Sequence, residues 1–182
     1  MPSRRTPAAA RTTKRRQTVA VRPAHPPVEP EEKDRPDDRS HRMLIVGIGA
    51  SAGGLEAFTQ LLARLPLDTG MAFVLVQHLD PDHESALTQI LSRATQMPVG
   101  EVTHNQPPQA NHVYIIPRDT NLSIVEGLLK LEPRERTRMP HRPIDTFFES
   151  LAQDQRERAI GVVLSGTASD GTLGLEAIKA EG

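Results

Sequence analysis

The apolar run Met43-Leu44-Ile45-Val46 leads straight into Gly47-Ile48-Gly49-Ala50-Ser51-Ala52-Gly53-Gly54. A short β-branched segment feeding a glycine-rich turn, with helical periodicity beyond it, is a strand–turn–helix unit. Three chemistries fit such a turn. Gly49-x-Ser51-x-Gly53 reads as a nucleophile elbow, in which small residues allow a sharp bend and leave a serine hydroxyl exposed above the sheet edge. Ser51 also suits the N-cap of a helix starting near Gly54. Gly47-x-Gly49 followed by Gly53 is a loose variant of a phosphate or dinucleotide loop. The segment alone leaves all three open.

Composition narrows the class. The 182 residues suffice for one domain plus a tail, or for part of a larger domain. There is no cysteine, so disulfides, thiolate nucleophiles and thiolate metal sites are excluded. No apolar stretch approaches the length of a membrane span, and no apolar segment follows the N-terminal arginines as in a secretory signal. A cytoplasmic protein without membrane insertion is expected. A net charge of −1 and 3% aromatic residues argue against nucleic acid as a partner. Charge is uneven along the chain. Met1–Arg22 carries seven Lys or Arg and no acid, acids dominate from Glu29 to Asp38, and seven of the 16 prolines fall before residue 40. Residues 1–41 are expected to be a disordered basic, Pro-rich tail, because such a segment buries too little apolar surface to offset the entropy of ordering.

From Met43 onward the periodicity alternates between strand and helix. Met43–Ile48, Met71–Val76, Val99–Val102 and Ile160–Leu164 read as strands. Leu55–Leu65, Ser85–Ala94, Ile144–Leu151 and Leu173–Ala180 carry apolar residues at helical spacing, with Pro143 at a first-turn position. His112–Ile116, Asn121–Val125 and Leu128–Leu131, joined by turn residues, read as a small antiparallel meander. The expected fold is α/β: a doubly wound, mostly parallel, Rossmann-like sheet with that meander inserted, over residues 42–182.

Ligands of such sheets sit outside the carboxyl ends of the strands. The first strand ends at Ser51, the second at Gln77-His78, and the late strand at Ser165-Gly166-Thr167-Ala168-Ser169-Asp170-Gly171. One Ser, one His and one Asp thus reach the same edge, the inventory of a catalytic triad. Ser51 is a poor nucleophile until a base takes its proton. His78 titrates near neutrality and can be that base. Asp170 would accept the other imidazole N–H and fix the tautomer. Backbone N–H groups near Ala52 and in the Thr167 turn would stabilise an oxyanion. The order Ser, His, Asp differs from the Ser, Asp, His order of α/β-hydrolases. Taken singly, His78 also reads as a solvated loop residue and Asp170 as a turn former. Asp80, Asp82, His83 and Glu84 read as compensation of a helix dipole rather than as a metal site.

Ile45–Gly54, Gln77-His78, His141-Arg142-Pro143-x-Asp145 and Leu164-Ser165-Gly166-x-x-x-Asp170-Gly171 resemble, in order and spacing, the catalytic domain of CheB-type protein-glutamate methylesterases of bacterial chemotaxis. The resemblance runs from about Met43 to Gly182. It implies Ser51 as nucleophile, His78 as base, Asp170 as orienting acid and the Thr167 backbone as an oxyanion donor, where many chemotaxis members carry methionine. It implies hydrolysis of γ-glutamyl methyl esters on methyl-accepting chemotaxis receptors, with deamidation of selected glutamines by the same acyl-enzyme route, and no metal or organic cofactor. The variants around Ser51 and Asp170 look more like the domains of methylesterase–methyltransferase hybrid sensory proteins, so methyltransferase or sensor-kinase modules are further expected partners.

The chemotaxis enzymes usually carry a phospho-acceptor receiver domain, for which the 1–41 segment is too short and too polar. The family domain also continues beyond the helix matching Leu173–Ala180, so the chain reads as a C-terminally incomplete domain. Two other readings remain at this stage: a catalytically impaired receptor- or partner-binding module of the same fold, and a nucleotide-binding domain. The latter expects an acid at the end of the second strand, where His78 stands. Arg134, Arg136, Arg138, His141 and Arg142 form a basic stretch suited to docking the acidic helices of a receptor, or simply a solvated connection. If it docks, Arg138→Glu raises the receptor KM and weakens its salt dependence in steady-state assays; unchanged values exclude the role.

Overall fold

The computed structural model describes residues 43–51, 54–77, 86–134, 141–165 and 169–182. The predicted tail at 1–41 lies outside the described residues. Among the described residues, seven strands and four α-helices follow in the order β1 (Ile45–Ala50), α1 (Gly54–Leu62), β2 (Ala72–Gln77), α2 (Leu87–Leu91), β3 (Val99–Glu101), β4 (Val113–Ile115), β5 (Thr120–Val125), β6 (Leu128–Pro133), α3 (Pro143–Gln155), β7 (Ala159–Ser165) and α4 (Thr172–Glu181). Five strands form a sheet in the order β3-β4-β2-β1-β7, every pairing parallel. Strands β5 and β6 form a separate antiparallel pair.

The sheet is covered on both faces, which is why its central strands read as unbroken apolar runs. Phe73 and Leu75 of β2 pack with Val46, Ile48 and Ala50 of β1 beneath Phe58 and Leu62 of α1 and Leu87 and Leu91 of α2. The alternate residues Ala72, Val74 and Val76 face Ile144, Phe147, Phe148 and Leu151 of α3 on the other side. Phe147 and Phe148 are completely buried; full burial of an aromatic side chain contributes about 1.5–3 kcal/mol.

Strand β1 extends two residues beyond the expected Met43–Ile48 end, and this changes the meaning of its glycines. A Cβ on Gly47 would lie 2.8 Å from Phe148 Cε1, and one on Gly49 would lie 2.5 Å from Ile144 Cγ2. The two glycines are therefore strand residues that make room for α3, not members of a phosphate-cradling loop. Gly161 of β7 plays the same part for Leu175 and Ile178 of α4.

The expected three-stranded meander is corrected to two strands. Residues 113–115 form β4, which joins the parallel sheet between β2 and β3. Val113, Tyr114 and Ile115 are all buried, as an interior strand of a two-sided sheet requires and a half-exposed hairpin strand does not. The β5–β6 hairpin turns at Glu126 and Gly127, both at positive φ (55° and 73°), the signature of a two-residue hairpin turn. It is fastened to α3: both Asp154 carboxylate oxygens accept turn N–H groups, with Gly127 N at 3.0 Å, and Ile124 N donates to Ser150 Oγ at 3.1 Å. The helix expected over Ser85–Ala94 is shorter, Leu87–Leu91, while α3 runs on past Leu151 to Gln155.

Gly49→Ala is expected to destabilise the fold by about 1–3 kcal/mol through overpacking against Ile144. Combined with Ile144→Ala, which removes the clashing atoms, the loss should fall below the sum of the single changes. Urea unfolding of the three variants measures this.

Candidate active site

Strand β1 lies inside the sheet, with β2 on one side and β7 on the other, and the chain runs from it through α1 to β2 and returns to its other side only at β7. The carboxyl end of such a strand is the crevice where open parallel sheets bind ligands. Ser51 stands there, half-buried, directly after the fully buried Ala50. Ala50 is level with Gln77, the last residue of β2, and with Ser165, the last residue of β7. The β1–β7 register slips between Gly49 and Ala50, so one extra residue, Leu164, enters β7 beside the site. Such bulges re-aim the residues that follow them. The Ser51 carbonyl accepts the Gly54 N–H at 2.9 Å, which closes the turn into α1. Ser51 is thus the hinge of the strand–turn–helix unit.

Asp170 follows β7. Its carboxylate is bound by the first turn of α3: Oδ2 accepts the Ile144 N–H at 3.1 Å and Oδ1 accepts the Asp145 N–H at 2.8 Å. These are the second and third helical residues, whose N–H groups have no partner within the helix. Arg142, the residue before the helix, supplies no side-chain cap, and Pro143 has no N–H to satisfy. A carboxylate from elsewhere in the chain takes that place, where the helix dipole favours negative charge. Gly171 comes next at φ 102°, and a Cβ there would lie 3.0 Å from both Ile144 and Val163. Only glycine combines that backbone with that space.

Asp145 belongs to the His141-Arg142-Pro143-x-Asp145 motif, but residue patterns assign it no role. It is 2% exposed, and its Oδ1 accepts the Gly174 N–H at 2.7 Å. Its Oδ2 is paired with the Arg142 guanidinium. The visible signal was an acid in the first turn after Pro143, a pattern that exposed helix starts also show.

Of the other residues expected at the site, His141 and Arg142 are described. His141 Nε2 lies 2.9 Å from Asn121 Oδ1, which ties the entry of α3 to β5. Arg142 is partly exposed and engaged with Asp145. His78, Ala52, Thr167 and Arg138 lie outside the described residues, as do Asp80, Asp82, His83 and Glu84. Among the described residues no group of three or more His, Asp or Glu side chains is arranged to hold a metal ion, and no helix is long and apolar enough to cross a membrane.

The family model for the CheB methylesterase matches residues 46–182. The chain belongs to the CheB methylesterase family. It is 37% identical over 139 residues to the protein-glutamate methylesterase/protein-glutamine glutaminase 2 of Burkholderia pseudomallei (strain 1710b), covering 76% of this chain and 41% of that protein. The protein of the same name from Cupriavidus metallidurans is also 37% identical over the same shares. The chain therefore spans about two fifths of the length of the curated relatives it matches. Among solved structures, the CheB methylesterase catalytic domain of Thermotoga maritima superimposes with a TM-score of 0.67 at 27% identity, covering 77% of this chain and 76% of that one. The expected α/β fold of this family is the observed one.

Asp170→Ala leaves two α3 N–H groups without their acceptor and is expected to cost about 1–3 kcal/mol. Asp170→Asn, which keeps one acceptor oxygen, should cost less. A lowered urea midpoint with an unchanged slope is the expected readout.

Proposed function

We propose that this chain is a serine hydrolase that removes methyl esters from glutamate side chains of methyl-accepting chemotaxis receptors. The observation that carries the reading is the position of Ser51 at the carboxyl end of the interior strand β1, between the ends of β2 and β7, in a member of the CheB methylesterase family.

In the proposed reaction His78 takes the Ser51 hydroxyl proton as Oγ attacks the ester carbonyl carbon. Backbone N–H groups at Ala52 and Thr167 bind the resulting oxyanion. Collapse breaks the bond to the methoxy oxygen, which receives the proton from the imidazolium and leaves as methanol. Water then attacks the acyl-serine and gives its proton to His78. His78 then returns its proton to Ser51 Oγ as the acyl–serine bond breaks, and the glutamic acid released loses its proton to solvent. Asp170 accepts the second imidazole N–H and stabilises the imidazolium formed in each half-reaction. With a glutamine side chain the same steps expel ammonia. Every step uses side chains, backbone and water alone. The substrate places the reaction at the cytoplasmic domains of receptors. A methyltransferase or sensor-kinase module is a fitting further partner, since either would act on the same receptor assembly.

Ser51→Ala is expected to abolish methanol release from methylated receptor while receptor binding survives. Persistence of release in the variant would exclude Ser51 as nucleophile. Receptor binding without release by the unaltered chain would favour the binding-module reading.

A further inference from the structure

Asp145 is the only charged side chain buried among the described residues. A buried carboxylate is costly unless paired and fully hydrogen-bonded. Capping a helix does not need it there, since an exposed serine or asparagine would serve. Its burial is explained by what it closes. The Asp145 backbone N–H donates to the Asp170 carboxylate at 2.8 Å, and four residues beyond Asp170 the Gly174 N–H donates to the Asp145 carboxylate at 2.7 Å. Gly174 is the third residue of α4, whose N-cap, Gly171, has no side chain to offer. Each helix therefore borrows its cap from beside the start of the other.

The two helices touch at this point with almost no freedom to slide. A Cβ on Gly174 would lie 2.4 Å from Phe148 Cβ and 3.2 Å from Asp145 Cα. The Arg142 guanidinium holds the remaining Asp145 oxygen. The first turn of α3 is thus locked to the segment that carries Asp170, and it is this turn that grips Asp170. Both Asp170 oxygens accept a backbone N–H from that turn, so the grip sets the orientation of the carboxylate.

We propose that Asp145 is the positioning residue for Asp170: by joining α3 to α4 it fixes the carboxylate that orients the general base, without touching substrate itself. The proposal rests on the triad reading above.

The test uses the full chain with Asp145→Ala, Asp145→Asn, and each combined with Asp170→Ala, assayed for methanol release from methylated receptor and for backbone amide exchange. Asp145→Ala is expected to lower kcat by about 10–100-fold, the scale of an ångström misplacement, with KM within about twofold. Asp145→Asn, which keeps an acceptor for Gly174, should recover most of that loss. In the Asp170→Ala background Asp145→Ala should cost nothing further, because the group it acts through is gone. Additive losses in that background, or a raised KM at unchanged kcat, would overturn the proposal.

An unaltered chain that releases no methanol would refute the proposed function instead, and amide exchange then decides the positioning role. Faster exchange at Ile144 in Asp145→Ala, reversed by Asp145→Asn, with Val74 and Leu75 in the core unchanged, supports it. Unchanged exchange at Ile144, or loss of protection throughout the core, overturns it. Should Asp145→Ala not fold, Asp145→Ser carries the same comparison.

Discussion

Helix α3 lies directly on the glycine face of β1, and the rest of the site is built from that contact. Gly47 and Gly49 leave the space that Phe148 and Ile144 occupy. With side chains at those two positions, the helix would stand further from the sheet. Its present depth brings the first turn of α3 to the carboxyl edge of the sheet, where Asp170 accepts the N–H groups of Ile144 and Asp145. Packing at the centre of the domain thereby determines where a charged group sits at its rim.

The electrostatics reinforce that packing. Two helices begin at residues with no side-chain cap of their own, Arg142 and Gly171. Both are completed by aspartates from outside the helix being capped, and the two caps form a closed ring with Gly174 at the crossing. The ring satisfies orphan N–H groups and places negative charge at two positive helix ends. Farther along the same helix, Ser150 and Asp154 hold the β5–β6 hairpin, and His141 at the helix entry reaches Asn121. One helix therefore organises the sheet, the hairpin and the Asp170 carboxylate together.

Much of this was legible from residue patterns, because the strands are buried on both faces and the helices on one, and each leaves its own periodicity. The two-sided strands β1 and β2, the edge strand β7 and the helices α1, α3 and α4 match those patterns to within a few residues. Strand β4 was assigned to the wrong sheet, because three short apolar segments in succession look alike whether they pair locally or one of them crosses to a distant strand. Tyr114 carries no local mark of its neighbours Val74 and Gly100. The glycines of β1 were read as turn residues because a glycine required by a neighbour's bulk and a glycine required by a bend have the same letter.

For the site, the order of residues alone names the chemistry on offer. It set a serine after the first strand, an Asp-Gly pair after the last, and the motif order that marks the CheB methylesterase family. Local spacing suffices for this, because strand ends are set by nearby residues and their positions along the chain follow directly. What holds Asp170 is set by packing between distant segments. Its partners at positions 144 and 145 lie some 25 residues away, and the reciprocal hydrogen bond between Asp145 and Gly174 spans 29. Contacts at that separation leave no periodicity in the chain. They exist because two helices without caps meet at a glycine, a fact that no segment contains and that only their packing creates.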